Sequence, residues 1–237
     1  PRSIRRATTI AVPTEYVKSV VVDRFGTDPA TVTVIPHGVE PHLGKDAPSA
    51  FDLRREYGLG PGPVIVFPAI THPHKGHRFL LEVMARHWTD PDLRLVLLGG
   101  AGAAATAVDR SIVELGLERR VVRPGRVPAA HRAGLIAMAA ALVFPSEYEG
   151  FGAPVVEAMA LGTPVICSDQ AALAEVVGDA GLVLPLDREA WAGALETVAA
   201  RRASLVAAGR SRAGRYTSAR SGEALAAAYR DTYERRR

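Results

Sequence analysis

Along this chain, short runs of β-branched and aliphatic residues alternate with longer Ala-rich stretches whose apolar positions recur every three or four residues. The short runs lie at residues 9–12, 32–36, 64–68, 93–99, 121–123, 141–145, 164–168 and 182–184, and have the length and composition of strands. The stretches between and after them, at 14–25, 51–57, 77–87, 103–117, 131–138, 154–161, 171–177, 188–208 and 218–236, carry a helical period. Strands alternating with helices of this length predict an α/β fold with a Rossmann-like parallel sheet and helices on both faces. The strands are continuously apolar rather than alternating, as parallel strands buried on both faces read.

Residues 39–49 (VEPHLGKDAPS) interrupt this pattern with polar and turn-forming side chains. They predict a division into a small unit over 1–40, a linker over 41–50, a compact domain over 51–216 and a last helix over 217–237. Two strands and one helix bury too little to stand alone. The small unit is therefore expected to pack on the main domain, on a partner chain or on a missing half. The chain opens on Pro1 rather than Met and reads as the second half of something longer.

Composition narrows the class. With 48% apolar and 23% charged residues the chain is globular. The single cysteine, Cys167, excludes an intrachain disulfide and a multi-cysteine metal cluster. Its place inside a strand predicts a buried, inert thiol. No apolar run approaches the roughly 20 residues that span a bilayer. The net charge of +4 gathers at the ends, at Arg2, Arg5 and Arg6, then at Arg201, Arg202, Arg210, Arg212, Arg215 and Arg220 and at Arg235–237. The plain reading is a solvated surface. The sharper one is attraction to a polyanionic substrate or to anionic lipid headgroups at the inner face of the cell membrane, around an otherwise cytoplasmic protein. Nucleic acid is disfavoured as a partner, because aromatic content is only 6% and the basic stretches carry no interleaved aromatics.

Three local patterns have a tempting reading and a plainer one. Gly100-x-Gly102-x-x-Ala105 follows a strand and opens a helix, like a dinucleotide fingerprint. The next strand, however, ends in Arg123 where a ribose-binding acid belongs, so an NADP site is the weaker reading and a nucleotide-proximal loop the stronger. Asp90-Pro91-Asp92 precedes a strand, the wrong end for ligands of an open α/β sheet, and reads as a polar turn. His72, His74 and His77 follow a strand on the ligand side, but no acid or cysteine nearby completes a metal set, and His with Lys75 there suits phosphate.

The densest chemistry lies at 141–169. Glu149 sits in a loop after a strand, Glu157 one turn into the helix that follows, and Pro154 occupies that helix's first turn. Gly150 and Gly152 remove side chains, so a ligand can touch backbone. Open N–H groups around Gly152, Ala153 and Val155 and the positive end of the helix suit a diphosphate. An ionised Glu can accept two hydrogen bonds from a vicinal diol. Phosphate donors beside two carboxylates describe a sugar-nucleotide site; taken singly, Glu149 is a capping acid and Glu157 a solvated one.

Glu149-x7-Glu157 within PSEYEGFGAPVVEAMALGTPVI resembles the signature of retaining glycosyltransferases of family 4, which have the GT-B fold. The surrounding text is similar in order: TVTVIPHGVE resembles the crossing from the first domain, VIVFPAITHPHKGH the phosphate-binding strand and loop, LVLLGGAG the next glycine loop, and VVRPGRVP the segment that frames the base. The resemblance covers nearly the whole chain. It implies the donor-binding C-terminal half plus the tail of the acceptor half.

What the resemblance implies can be carried residue by residue. Glu157 is expected to hold ribose hydroxyls. Glu149 is expected to hold hydroxyls of the transferred sugar and stabilise charge near its anomeric carbon. Lys75 is expected to bind the donor diphosphate, with Gly150, Phe151, Gly152 and Ala153 touching sugar and phosphate through backbone, Val127 near the base and Gly100 at the nucleotide. Family members usually carry an Arg before this Lys; here that place falls near Ala69, and Thr71, His74 or Arg126 is expected to compensate. The donor would be a GDP- or UDP-linked hexose, possible mannosyl transfer included, with no cofactor and no metal. The acceptor would be a glycan, lipid or small molecule. The acceptor-binding half is not in this chain, so the chain alone is expected to bind donor weakly and transfer little. The alternative is a non-catalytic nucleotide-sugar binding module or subunit.

Overall fold

The computed structural model describes residues 2–234. A short helix that the sequence pattern did not predict, α1 (Arg2–Arg6), precedes β1 (Ile10–Val12). β1 pairs in parallel with β2 (Val32–Val34), and α2 (Glu15–Phe25) connects them. The Thr14 hydroxyl caps α2 by accepting from the Val17 amide.

The main sheet has six parallel strands: β3 (Val64–Pro68), β4 (Arg94–Leu98), β5 (Val121–Gly125), β6 (Ala141–Phe144), β7 (Val165–Ser168) and β8 (Leu182–Leu184). Their spatial order is β5-β4-β3-β6-β7-β8, so the chain runs outward from β3 to one edge and then returns to build outward from its other side. That reversal leaves a crevice beyond the carboxyl ends of β3 and β6, the switch point where doubly wound sheets bind ligands. Central strands β3, β6 and β7 are buried along their whole length, and Phe67 meets Phe144 edge-on at 5.6 Å. β5 extends past residue 123 to include Pro124, which is tolerated because this strand is an edge.

Helices α3 (Ala50–Glu56), α4 (His77–Arg86), α5 (Ala105–Glu114), α6 (Ala129–Met138), α7 (Ala153–Leu161) and α8 (Leu173–Val177) cover the sheet. α4 turns Leu80, Leu81, Val83 and Met84 into the core and leaves Arg78 and Arg86 outside. The single helix expected over 188–208 is instead three: α9 (Arg188–Ala192), α10 (Ala194–Ala200) and α11 (Arg202–Ala213). Gly193 and Arg201 leave helical geometry between them, at ψ 14° and 13°. The bend is held by Trp191, fully buried, whose indole N–H donates to Pro185 O at 2.9 Å. The last helix, α12, runs Ser218–Glu234; the end expected at residue 236 lies outside the described residues.

The small unit at the front packs on the main domain. Glu15 N and Tyr16 N both donate to the Glu175 carboxylate, at 2.9 and 2.8 Å, and the Thr14 hydroxyl donates to Gly150 O at 3.0 Å. Val39 N donates to Tyr216 O at 2.8 Å and Ser218 Oγ to Val39 O at 3.0 Å, so the outgoing and returning chains cross side by side. Thr9 and Thr232 share a 2.6 Å hydroxyl hydrogen bond. Of the apolar face expected on α12, Ala228 is buried, while Leu225, Tyr229 and Tyr233 are exposed. Part of the basic C-terminal run caps carbonyls: Arg202 donates to Ala140 O and Arg212 to Val176 O and Glu175 O. Among the described residues no helix is long and apolar enough to cross a membrane.

Candidate functional site

Two loops meet at the switch point. One leaves β3 and carries Thr71, His72, His74 and Lys75; the other leaves β6 and carries Ser146, Glu149 and Gly150. Glu147 N donates to His74 O at 2.8 Å and stitches them together. Across this seam Lys75 Nζ lies 2.5 Å from Glu149 Oε1, and both side chains are mostly buried. The cation also faces the Phe144 ring, 5.8 Å from its centroid.

Gly152, at φ +84°, turns the chain into α7, a conformation that costs a side-chain-bearing residue about 1 kcal/mol or more. Pro154 has no N–H, and Val155 N donates back to Gly152 O at 2.9 Å. The Val155 amide, expected to be open, is therefore spent within the turn, whereas Ala153 is exposed at the head of the helix. Phe151 is buried: it meets His37 at 5.1 Å and Tyr216 at 5.4 Å, both edge-on, so only its backbone borders the loop.

Glu157 faces Arg132, a residue on α6 that the sequence reading passed over. Arg132 Nη2 stands 2.5 Å from Glu157 Oε2, so an ion pair engages this buried carboxylate oxygen.

The other expected residues separate. Thr71 is buried and its hydroxyl donates to Gly100 O at 3.3 Å, so that proton is already engaged. His74 stacks on His72 at 6.0 Å, nearly parallel. His77 turns inward and packs against Phe67 at 4.5 Å, so the three histidines do not share one face. Burial, then the nearby charges of Arg123 and Lys75, lower the His77 pKa to about 4, and its Nδ1 has no partner. Arg126 and Val127 line a cavity with Ala69, and the Arg126 side chain packs against Gly100. Gly102 is needed for packing: a Cβ there would lie 2.5 Å from Thr71 O. Asp90 accepts from Asp92 N at 2.8 Å in a turn before β4, at the far end of the sheet. Among the described residues no group of three or more metal-ligating side chains is assembled. Cys167 is fully buried, with its thiol pKa pushed up to about 12 by burial and by Asp169.

The doubly wound sheet, with two loops converging at its switch point, defines a Rossmann-like domain of the GT-B type. The family model for Glycosyl transferases group 1 matches residues 62–201, and the chain belongs to that family. D-inositol 3-phosphate glycosyltransferase of Stackebrandtia nassauensis is 32% identical over 233 residues, which are 92% of this chain and 52% of that protein. The crystal structure of Anabaena HepE in complex with UDP and glucose superposes with a TM-score of 0.86 at 22% identity, covering 97% of this chain and 65% of that one. Sucrose-phosphate synthase from Thermosynechococcus elongatus does so with a TM-score of 0.81 at 26% identity, covering 95% and 58%. The chain thus spans about half the length of the curated relatives it matches.

Proposed function

We propose that this chain is the donor-binding half of a retaining glycosyltransferase. It would move a hexose from a nucleoside diphosphate to a hydroxyl of a glycan, lipid or small-molecule acceptor, without a metal or cofactor. The observation that supports this best is the Lys75–Glu149 pair at the switch point. A diphosphate arriving there competes with Glu149 for Lys75. Lys75 then neutralises the leaving group, and the freed Glu149 carboxylate accepts hydrogen bonds from the sugar. The positive end of α7 adds to the anion's stabilisation.

In this reading the bond from the anomeric carbon to the diphosphate oxygen breaks, and a bond to the acceptor oxygen forms on the same face. The acceptor's proton passes to the departing diphosphate. Lys75 and the open end of α7 act most strongly as charge develops on that oxygen, which is where binding energy speeds a reaction. Glu157, paired with Arg132, takes the ribose diol. The acceptor-binding half is supplied by the rest of a longer protein or by a partner. The exposed Arg201, Arg215 and Arg220 draw it to anionic lipid at the inner face of the membrane, and co-sedimentation with phosphatidylglycerol vesicles tests that part.

A thermal-shift series with UDP, GDP and ADP, with and without EDTA, tests the central claim. A ligand that binds only the folded state raises Tm. The expected result is a rise with at least one nucleoside diphosphate, unchanged by EDTA and lost in Glu157→Ala. No rise with any of the three, or a rise abolished by EDTA, overturns it.

A further inference from the structure

A slot of about 270 Å³ opens beyond the carboxyl ends of β3, β4 and β5. Its side walls are Pro68, Ile70, Leu98 and Val127, and among the described residues the only polar side chains lining it are Arg126 and Arg132. Among the described residues no acid, amide or hydroxyl side chain lines it. Apolar walls suit the faces of a flat ring. Guanidinium groups only donate, so a ring seated here has to present acceptors.

Arg132 is held by an ion pair. Arg132 stands 2.5 Å from Glu157 through Nη2, which leaves its remaining N–H groups for the slot. Arg126 lies along Gly100, where any side chain would crowd its Nε. We infer that Arg126 and Arg132 read the donor's base and select guanine, making the donor a guanosine diphosphate sugar. This inference rests on the nucleotide-sugar reading of the site.

Guanine carries O6 and N7 as adjacent acceptors, which a guanidinium meets with two parallel N–H groups. Adenine sets an amino donor beside N7, and that donor would face an arginine N–H. Uracil sets a ring N–H between its two carbonyls and offers no adjacent acceptor pair. The position of Glu157 agrees: its pairing with Arg132 puts the ribose-binding carboxylate at the edge of the base slot, as the glycosidic bond requires.

Isothermal titration of this chain with GDP, 7-deaza-GDP, ADP and UDP tests the inference. A bidentate base contact discriminates by about ten- to a hundredfold. GDP is expected to bind at least about tenfold more tightly than ADP or UDP, and 7-deaza-GDP, which lacks the N7 acceptor, more weakly than GDP. The preference should shrink in Arg126→Leu, in Arg132→Lys, or in both; Arg132→Lys keeps a cation for Glu157 but cannot bind in two-pronged fashion. Melting curves confirm that each variant is folded. Equal affinities, a preference for ADP or UDP, 7-deaza-GDP binding as tightly as GDP, or a GDP preference unchanged in both variants overturns the base reader and leaves the nucleotide-sugar reading standing. Binding of none of the nucleotides overturns both.

Discussion

Gly76 packs so tightly against Pro145 that a Cβ on the glycine would lie far inside van der Waals contact distance of the Pro145 carbonyl oxygen. Gly76 immediately follows Lys75, and Pro145 immediately follows β6, the strand that leads to Glu149. The contact therefore sets the distance between the two loops that bring Lys75 and Glu149 together. Gly76 also sits at φ +74°, where a side chain is strained whatever the space. Gly76→Ala is expected to cost about 2 kcal/mol or more, from left-handed backbone strain and the clash together. Nucleotide binding should fall further than this stability loss explains, because the loops part. Urea unfolding and GDP or UDP titration measure the two effects; a variant as stable as the parent would show that the loops can shift freely.

Much of the fold was legible because both its signals are local. Continuous apolar runs such as Val64–Pro68 announce buried parallel strands, and helical periodicity announces their covers. The break at Gly193 was not legible, since its neighbours are good helix formers and the bend is held by Trp191 reaching Pro185. In the site, Glu149 and Glu157 stood out by spacing. Arg132 did not, because its partner lies 25 residues on and nothing near it in sequence marks the pairing. Nor did His77, whose neighbours suggested phosphate while tertiary packing turned it toward Phe67. Charge pairs and burial between distant segments depend on topology, which local pattern does not encode.

His77 predicts a specific acid sensitivity. Its pKa is about 4 in the folded state and 6.5 when free. Between those values the unfolded chain binds a proton that the folded chain refuses, so stability falls as pH drops from 6.5 toward 4. A difference of this size corresponds to about 3 kcal/mol across that window. His77→Phe keeps a ring against Phe67 and removes the titration. The loss in unfolding free energy from pH 7 to pH 4.5 should then be smaller in His77→Phe by about 2–3 kcal/mol. Equal losses in parent and variant would mean that His77 takes up its proton freely in the fold.

Cys167 should be chemically silent in the native state. It is fully buried, and burial pushes its thiol up to about 12, so almost no thiolate exists at pH 8. Iodoacetamide at pH 8 is expected to leave the folded protein unmodified and to label one site per chain in 8 M urea, as read by intact mass. Native labelling at the rate of a free thiol would require strand β7 to open on the timescale of the reaction.

The docking of the front unit depends on one carboxylate. Glu175 on α8 accepts from the amides of Glu15 and Tyr16, the first residues of α2, across about 160 positions of sequence. Those amides have no partner within their own helix. An anion at a helix start is stabilised both by these hydrogen bonds and by the helix dipole. The Thr14 hydroxyl then ties the same end of α2 to Gly150 in the site loop. Glu175→Ala removes two charge-assisted bonds and is expected to weaken docking by about 1–3 kcal/mol, leaving the sheet core intact. Hydrogen exchange should show faster exchange over residues 15–25 and in the loop around Gly150, with β3 unchanged. Unaltered protection in α2 would mean that apolar packing, rather than Glu175, holds the front unit against the domain.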